Sequence, residues 1–167
     1  MRVSVLSMFT AIAIVLSYIE SFIPVIGIPG VRLGLANLAI VLVIYYLGAK
    51  EALLVNVARI LVVGFLFGNM FSIFYSIAGA LFSMAAMIHT KKLGKLHLQS
   101  VSIVGGVAHN VGQIIVAAFA VSTYGVIYYV PVLIISGIIT GLAIGIIANI
   151  IFERTKSFMF KNLNKEV

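Results

Sequence analysis

The chain has 167 residues, 63% of them hydrophobic and 9% charged, with a mean hydropathy of +1.25. A water-soluble domain carries about 25% charged residues, so a globule exposed to water on all sides is excluded and an integral membrane protein is expected. Cysteine and tryptophan are absent, which rules out disulfides, thiolate metal sites and cysteine nucleophiles and leaves tyrosine to supply any aromatic belt. The net charge of +7 would suit nucleic acid if it were clustered, but its distribution along the chain assigns it to another task.

A helix needs about 20 mostly apolar residues to cross a bilayer. Six such stretches follow one another. Residues 3–23 form the first; it resembles a signal peptide, but it is too long and lacks a small-residue cleavage site before the next stretch, so it reads as a retained helix. Residues 33–48 form a short second helix, 51–67 a third, 70–89 a fourth, 100–122 a fifth and 129–152 a sixth. Runs such as LAIVLVIYYL and VLIISGIITGLAIGIIANIIF do not alternate apolar with polar, as strands of a membrane barrel would. The expected fold is therefore an all-α bundle of six transmembrane helices in one domain, followed by a short, partly amphipathic and frayed tail over 153–167.

Six crossings place both termini on one side. Arg2, Lys50, Lys91, Lys92, Lys95, Arg154, Lys156, Lys161 and Lys165 then share that side; Arg32 is alone opposite and Arg59 falls within a span. Basic residues accumulate on the cytoplasmic face, so both termini are expected inside the cell membrane. The positive charge then meets membrane lipids rather than nucleic acid.

Polar residues inside a bilayer are costly, and this chain places several there. Arg59 sits near the middle of the third helix with Asn56 one turn before it. His109, Asn110 and Gln113 share the fifth helix, and Asn37 and Glu20 lie toward the outer ends of the second and first. Asn and Gln commonly bridge neighbouring helices for about 0.6 kcal/mol each, and Arg59 paired with Glu20 would be purely structural. A central arginine that faces a polar cavity instead would mark a binding site. Gly137, Gly141 and Gly145 form a small-residue ridge on the sixth helix suited to close internal packing. Ser7 and Ala11 make a lesser one on the first, where a membrane partner could dock.

The connection ESFIPVIGIPGVRLGLANL interrupts this apolar chain with two prolines, three glycines, an acid, an arginine and an asparagine. Pro24 and Pro29 redirect the backbone. Gly27, Gly30 and Gly34 allow tight or left-handed turns. Such backbone at membrane depth is tolerated only against protein or a water-filled cavity, so the segment is expected to cap a cavity mouth. Arg32 there offers a cation, and the start of the second helix offers free N–H groups to an anion. A re-entrant turn with Arg32 reaching the lipid headgroups is the plainer alternative.

The stretch SYIESFIPVIGIPGVRLGLANLAIVL, with the later ARI, GGVAHNVGQ and SGIITG, resembles the small membrane proteins called heptaprenyl diphosphate synthase component I, or the Gx transporter family. Arg32 stands where lysine is usual. That family in turn resembles the substrate-binding S components of energy-coupling factor (ECF) transporters. The resemblance implies a six-helix bundle whose outward site is capped by the loop between helices 1 and 2. It also implies partnership with a transmembrane coupling subunit and a pair of ATPases that consume ATP. Arg32, Asn37, Arg59, His109, Asn110 and Gln113 would hold a small anionic or polar ligand under a cap formed by Pro24, Gly27, Pro29, Gly30 and Gly34. S components often carry an Ala-x-x-x-Ala docking motif on the first helix, and Ser7-x-x-x-Ala11 departs from it.

The enzyme label meets a chemical obstacle in this chain. Prenyl-chain synthesis uses paired carboxylates to hold magnesium on diphosphates. The chain has no aspartate, and its four acids, Glu20, Glu51, Glu153 and Glu166, are scattered. It has no nucleotide-binding lysine loop, no Ser–His–Asp set and no zinc-ligand spacing. Catalytic residues, metal and directly bound cofactors are therefore expected to be none. Capture of a small molecule for transport is the first expectation. A non-catalytic accessory subunit in polyprenyl diphosphate or quinone synthesis is the alternative, and an ion-coupled carrier using His109 and Glu20 is a third possibility, disfavoured because no inverted repeat is visible.

Overall fold

The computed structural model describes residues 2–22, 34–94, 96–121 and 128–163. Among these residues there are six helices and no strand: α1 (Arg2–Ser21), α2 (Leu35–Tyr46), α3 (Ala49–Phe67), α4 (Met70–Lys92), α5 (Leu98–Val121) and α6 (Val130–Leu163). Four of them, α1, α4, α5 and α6, are long and apolar enough to cross a membrane. Large hydrophobic side chains such as Ile12, Phe65, Phe74, Phe119, Ile139 and Ile150 cover the outside of the bundle. With a surface of that kind the chain is a multi-pass helical membrane protein.

Two boundaries depart from the sequence expectation. The second helix, expected over 33–48, has only 12 residues, about 18 Å at 1.5 Å per residue. The expected frayed tail from residue 153 is instead helical as far as Leu163, because α6 continues without a break. Nothing in 153–163 stops it: there is no glycine or proline, and Glu153 and Lys156 pair at 2.6 Å one turn apart.

The short α2 is the centre of the molecule. Ala39, Ile40, Val41, Leu42, Val43 and Ile44 are all buried, as an apolar-all-round helix must be when protein surrounds it. Around it pack Phe9 and Ala13 of α1, Ala52 and Val55 of α3, Met84 and Met87 of α4, Leu98 and Val101 of α5, and Ala148 and Met159 of α6. Its ends are secured by different means. At the start, Gly34 adopts φ 74°, the left-handed region. At the finish, the Leu47 and Gly48 N–H groups both donate to the Val43 carbonyl. The Lys91 ammonium, from the end of α4, donates to the Ile44 carbonyl at 2.6 Å and lies 4.5 Å from the centre of the Tyr45 ring. A lysine thus supplies the donor that a helix C-terminus lacks.

The glycine ridge of α6 faces α5. A Cβ on Gly137 would come within 2.9 Å of the Val107 Cα, and one on Gly141 within 2.7 Å of the Ile103 Cα. The ridge therefore serves contact within the chain. Without a hydrophobic drive inside lipid, such close backbone approach is what holds helices together.

Candidate functional site

At the end of the bundle where α1 finishes and α2 begins, a narrow polar cleft enters between the helices. All six contribute to its wall: Glu20 of α1; Gly34 just before α2, and Ala36 and Asn37 within it; Asn56 and Arg59 of α3; Ser76 and Ser83 of α4; Gly106, His109 and Asn110 of α5; and Thr140 of α6. Its cavity volume is small, about 50 Å³.

Arg59 is the strongest charge within it. Its Nη2 donates to the Asn56 Oδ1 at 2.6 Å and its Nε to the same oxygen at 3.2 Å, while Nη1 reaches the Ser17 Oγ at 3.2 Å. Ser17 in turn donates to the Ala13 carbonyl at 2.8 Å. Asn56 lies three residues before Arg59, the spacing that brings helix side chains together, so α3 itself holds the guanidinium and α1 steadies its far end. Neutral oxygens of α3 and α1 thus orient the cation. Glu20 is nearer the mouth, where its Oε1 accepts the Gly34 N–H at 2.5 Å and ties the end of α1 to the start of α2.

On α5, His109 and Gln113 both press on Gly79 of α4. A Cβ there would lie 2.8 Å from the His109 Cε1 and 2.9 Å from the Gln113 Cγ. Asn110 donates from Nδ2 to the Leu133 carbonyl at 2.7 Å, so it joins α5 to α6 as well as lining the cleft. Gln113 is 1% exposed, and neither its Oε1 nor its Nε2 has a hydrogen-bond partner; the hydroxyls of Ser83 and Ser102 are in the same state.

Asn37, Arg59, His109 and Asn110, expected from sequence to meet, do so. Gln113 lies in the α4–α5 seam rather than on the cleft surface. Arg32 and the expected capping residues Pro24, Gly27, Pro29 and Gly30 lie outside the described residues; Gly34 is at the cleft. Ser7 and Ala11 are exposed on α1. Ser17, Ser76, Ser83 and Thr140 are additions that the sequence reading missed. A lone hydroxyl in an apolar helix leaves no signal, since it can bond the carbonyl one turn back, as Thr140 does to Ser136. Among the described residues no cluster of three metal-ligating side chains occurs.

Apolar helices closed around an arginine-bearing polar cleft define the class: a helical membrane protein with an internal polar site. Within that class, the chain belongs to the heptaprenyl diphosphate synthase component I family, which matches residues 9–151. No curated protein and no solved structure matches it.

Proposed function

We propose that this chain is a non-catalytic, membrane-embedded binding subunit that holds the anionic or hydrogen-bond-rich group of a ligand in the cleft around Arg59 and acts with a separate partner. The observation that carries this reading is Arg59 itself, set by Asn56 and Ser17 inside an apolar bundle. A cation in that setting is expensive unless it faces protein, water or a ligand. All six helices cross the cell membrane in this reading, with both termini and their lysines in the cytoplasm. The cleft then opens outward.

The family name favours one partner. A "component I" works beside another component, and a chain without aspartate leaves the magnesium-dependent chemistry of prenyl transfer to that second subunit. This chain would serve as its membrane accessory, holding a diphosphate-bearing lipid with Arg59 and Arg32. A second reading, as the S component of an ECF-type transporter, is favoured by Ser7 and Ala11. They present a small-residue face outward from α1, where a coupling subunit driven by an ATPase pair could pack closely.

Gentle purification from native membranes, followed by mass spectrometry of accompanying proteins and small molecules, separates the two. A prenyl synthase subunit with a lipid diphosphate establishes the accessory role. A coupling subunit with two ATPases and a soluble metabolite establishes the transporter. Recovery of neither, with no bound small molecule, rejects the binding-subunit reading altogether.

A further inference from the structure

The side of the bundle between α1 and α6 is open. α1 packs on α2 and α3, and α6 on α5 and α2, but α1 and α6 make little contact with each other. Behind that gap is a groove of about 320 Å³ that shares no wall residue with the polar cleft. A volume of that size is enough for a small molecule or part of a chain. The buried Ala39 and Leu42 of α2 back the groove, and the exposed Met8 and Ile12 of α1 and Phe158 of α6 flank it. Its wall is almost wholly apolar. The Tyr46 hydroxyl, which could have offered a polar contact, is taken by Thr155.

The walls decide what can fill it. Water needs two to four polar partners, which this wall does not supply. A partner helix is 10–12 Å across and packs in lipid through a ridge of small residues. The small residues here, Ala39 and Thr155, lie on different helices and make no ridge. A hydrocarbon chain needs neither, and the flexible Met8 and Met159 can adapt to one. The charges beside the groove then select the molecule that carries the chain. Arg154, Phe158 and Lys161 follow one another at four and three residues, so they share one face of α6, and both cations are exposed. Tyr128 and Tyr129, exposed at the start of α6, mark one membrane interface. Arg154 lies about 36 Å further along the helix, beyond a hydrocarbon layer about 30 Å deep. The two cations therefore reach the headgroups of the opposite leaflet, with Phe158 between them at the groove. Glu153, the acid on that stretch, is held by Lys156 at 2.6 Å. We infer that the α1–α6 groove is a lipid site, seating one acyl chain of an anionic phospholipid whose headgroup is held by Arg154 and Lys161. The inference depends on neither reading of the cleft.

The test titrates the whole chain, delipidated in detergent, with palmitoyl-oleoyl phosphatidylglycerol and with phosphatidylcholine of the same chains. Bound lipid is read by native mass spectrometry. Phosphatidylglycerol is expected to bind at a single site at least about tenfold more tightly than phosphatidylcholine, since each basic side chain beside an anionic headgroup contributes about fivefold. Arg154→Gln combined with Lys161→Gln is expected to remove that preference and leave the weaker binding of the chain. Met8→Trp fills the groove from its exposed rim and is expected to weaken both lipids alike, by at least about fivefold. Ile12→Trp does the same from a second exposed position, so that one variant failing to fold leaves the other to decide. Glycerol phosphate, the headgroup without chains, is expected not to compete.

Equal binding of the two lipids, or a preference that survives the double substitution, overturns the proposal. So does lipid binding that neither tryptophan variant weakens, because the lipid then lies elsewhere on the bundle. Competition by glycerol phosphate overturns the seated chain. A dimer that Met8→Trp or Ile12→Trp dissolves makes the occupant a second copy of this chain and overturns the lipid site as well. None of these outcomes involves Arg59, so the cleft stands or falls by its own experiment.

Discussion

The two ends of the bundle are built on opposite principles. Around the C-terminal end of α2, Tyr46 packs with Phe9, Phe152 and Phe160 at ring separations of 5.2–6.2 Å. Its hydroxyl bonds Thr155 at 2.5 Å, and Lys91 closes the helix end. Each polar group in that cluster has a use within the chain. Around the N-terminal end of α2, the apolar packing shrinks to a small cluster of Ile60, Ile73 and Ala80. There Ser83 and Gln113 are buried with hydrogen-bonding capacity unspent. One end is closed by its own contacts, and the other holds the polar cleft. Stability and binding should accordingly respond to different substitutions.

The largest expected effect is at the α5–α6 contact. Gly141→Leu drives a side chain into the Ile103 and Ser102 backbone, which cannot give way as a flexible side chain would; a loss of about 3 kcal/mol is expected in detergent-titration unfolding. Ile40→Ala, at the fully buried middle of α2, should cost about 2 kcal/mol. That is the low end for such a truncation, because in lipid only the packing term is lost. Neither change should alter ligand affinity below the unfolding transition, and a large affinity change would erase the division between the two ends.

Arg59→Gln reverses the pattern. Affinity for the ligand recovered from native membranes should fall by about tenfold or more, the worth of a charged hydrogen bond, while unfolding moves little. Tyr46→Phe should cost about 1 kcal/mol in the same unfolding assay, through loss of the Thr155 bond, and leave binding intact. Lys156→Ala sets the floor. It breaks an exposed pair with Glu153 and should change stability by about 0.5 kcal/mol or less.

How much of this was legible in the sequence follows from what each feature depends on. The helices were legible because long apolar runs have one reading in a membrane, and Arg59 because a charge there always demands an account. The inward role of Gly137 and Gly141 followed from the spacing. The continuation of α6 past Glu153 is not legible from the apolar run, which ends there, because a helix can leave the membrane without stopping. Ser17, Ser76, Ser83 and Thr140 were invisible for a different reason. Whether a serine meets its own helix, a neighbour or a cleft depends on the rotation of one helix against another, and that register is not written in any single run of residues. Gly79 is the same case: its lack of a side chain matters only once His109 and Gln113 are known to lean on it.

The brevity of α2 has a geometric consequence. At about 18 Å, it falls some 12 Å short of a hydrocarbon layer about 30 Å deep. Its finish is held by Lys91, and its start at Gly34 lies at the cleft. A ring of taller helices around a truncated middle one is a cup, and its depth is set by where the middle helix begins. Adding one helical turn before Leu35 would raise the floor by about 5 Å and displace Gly34 from Glu20, narrowing the cleft from below.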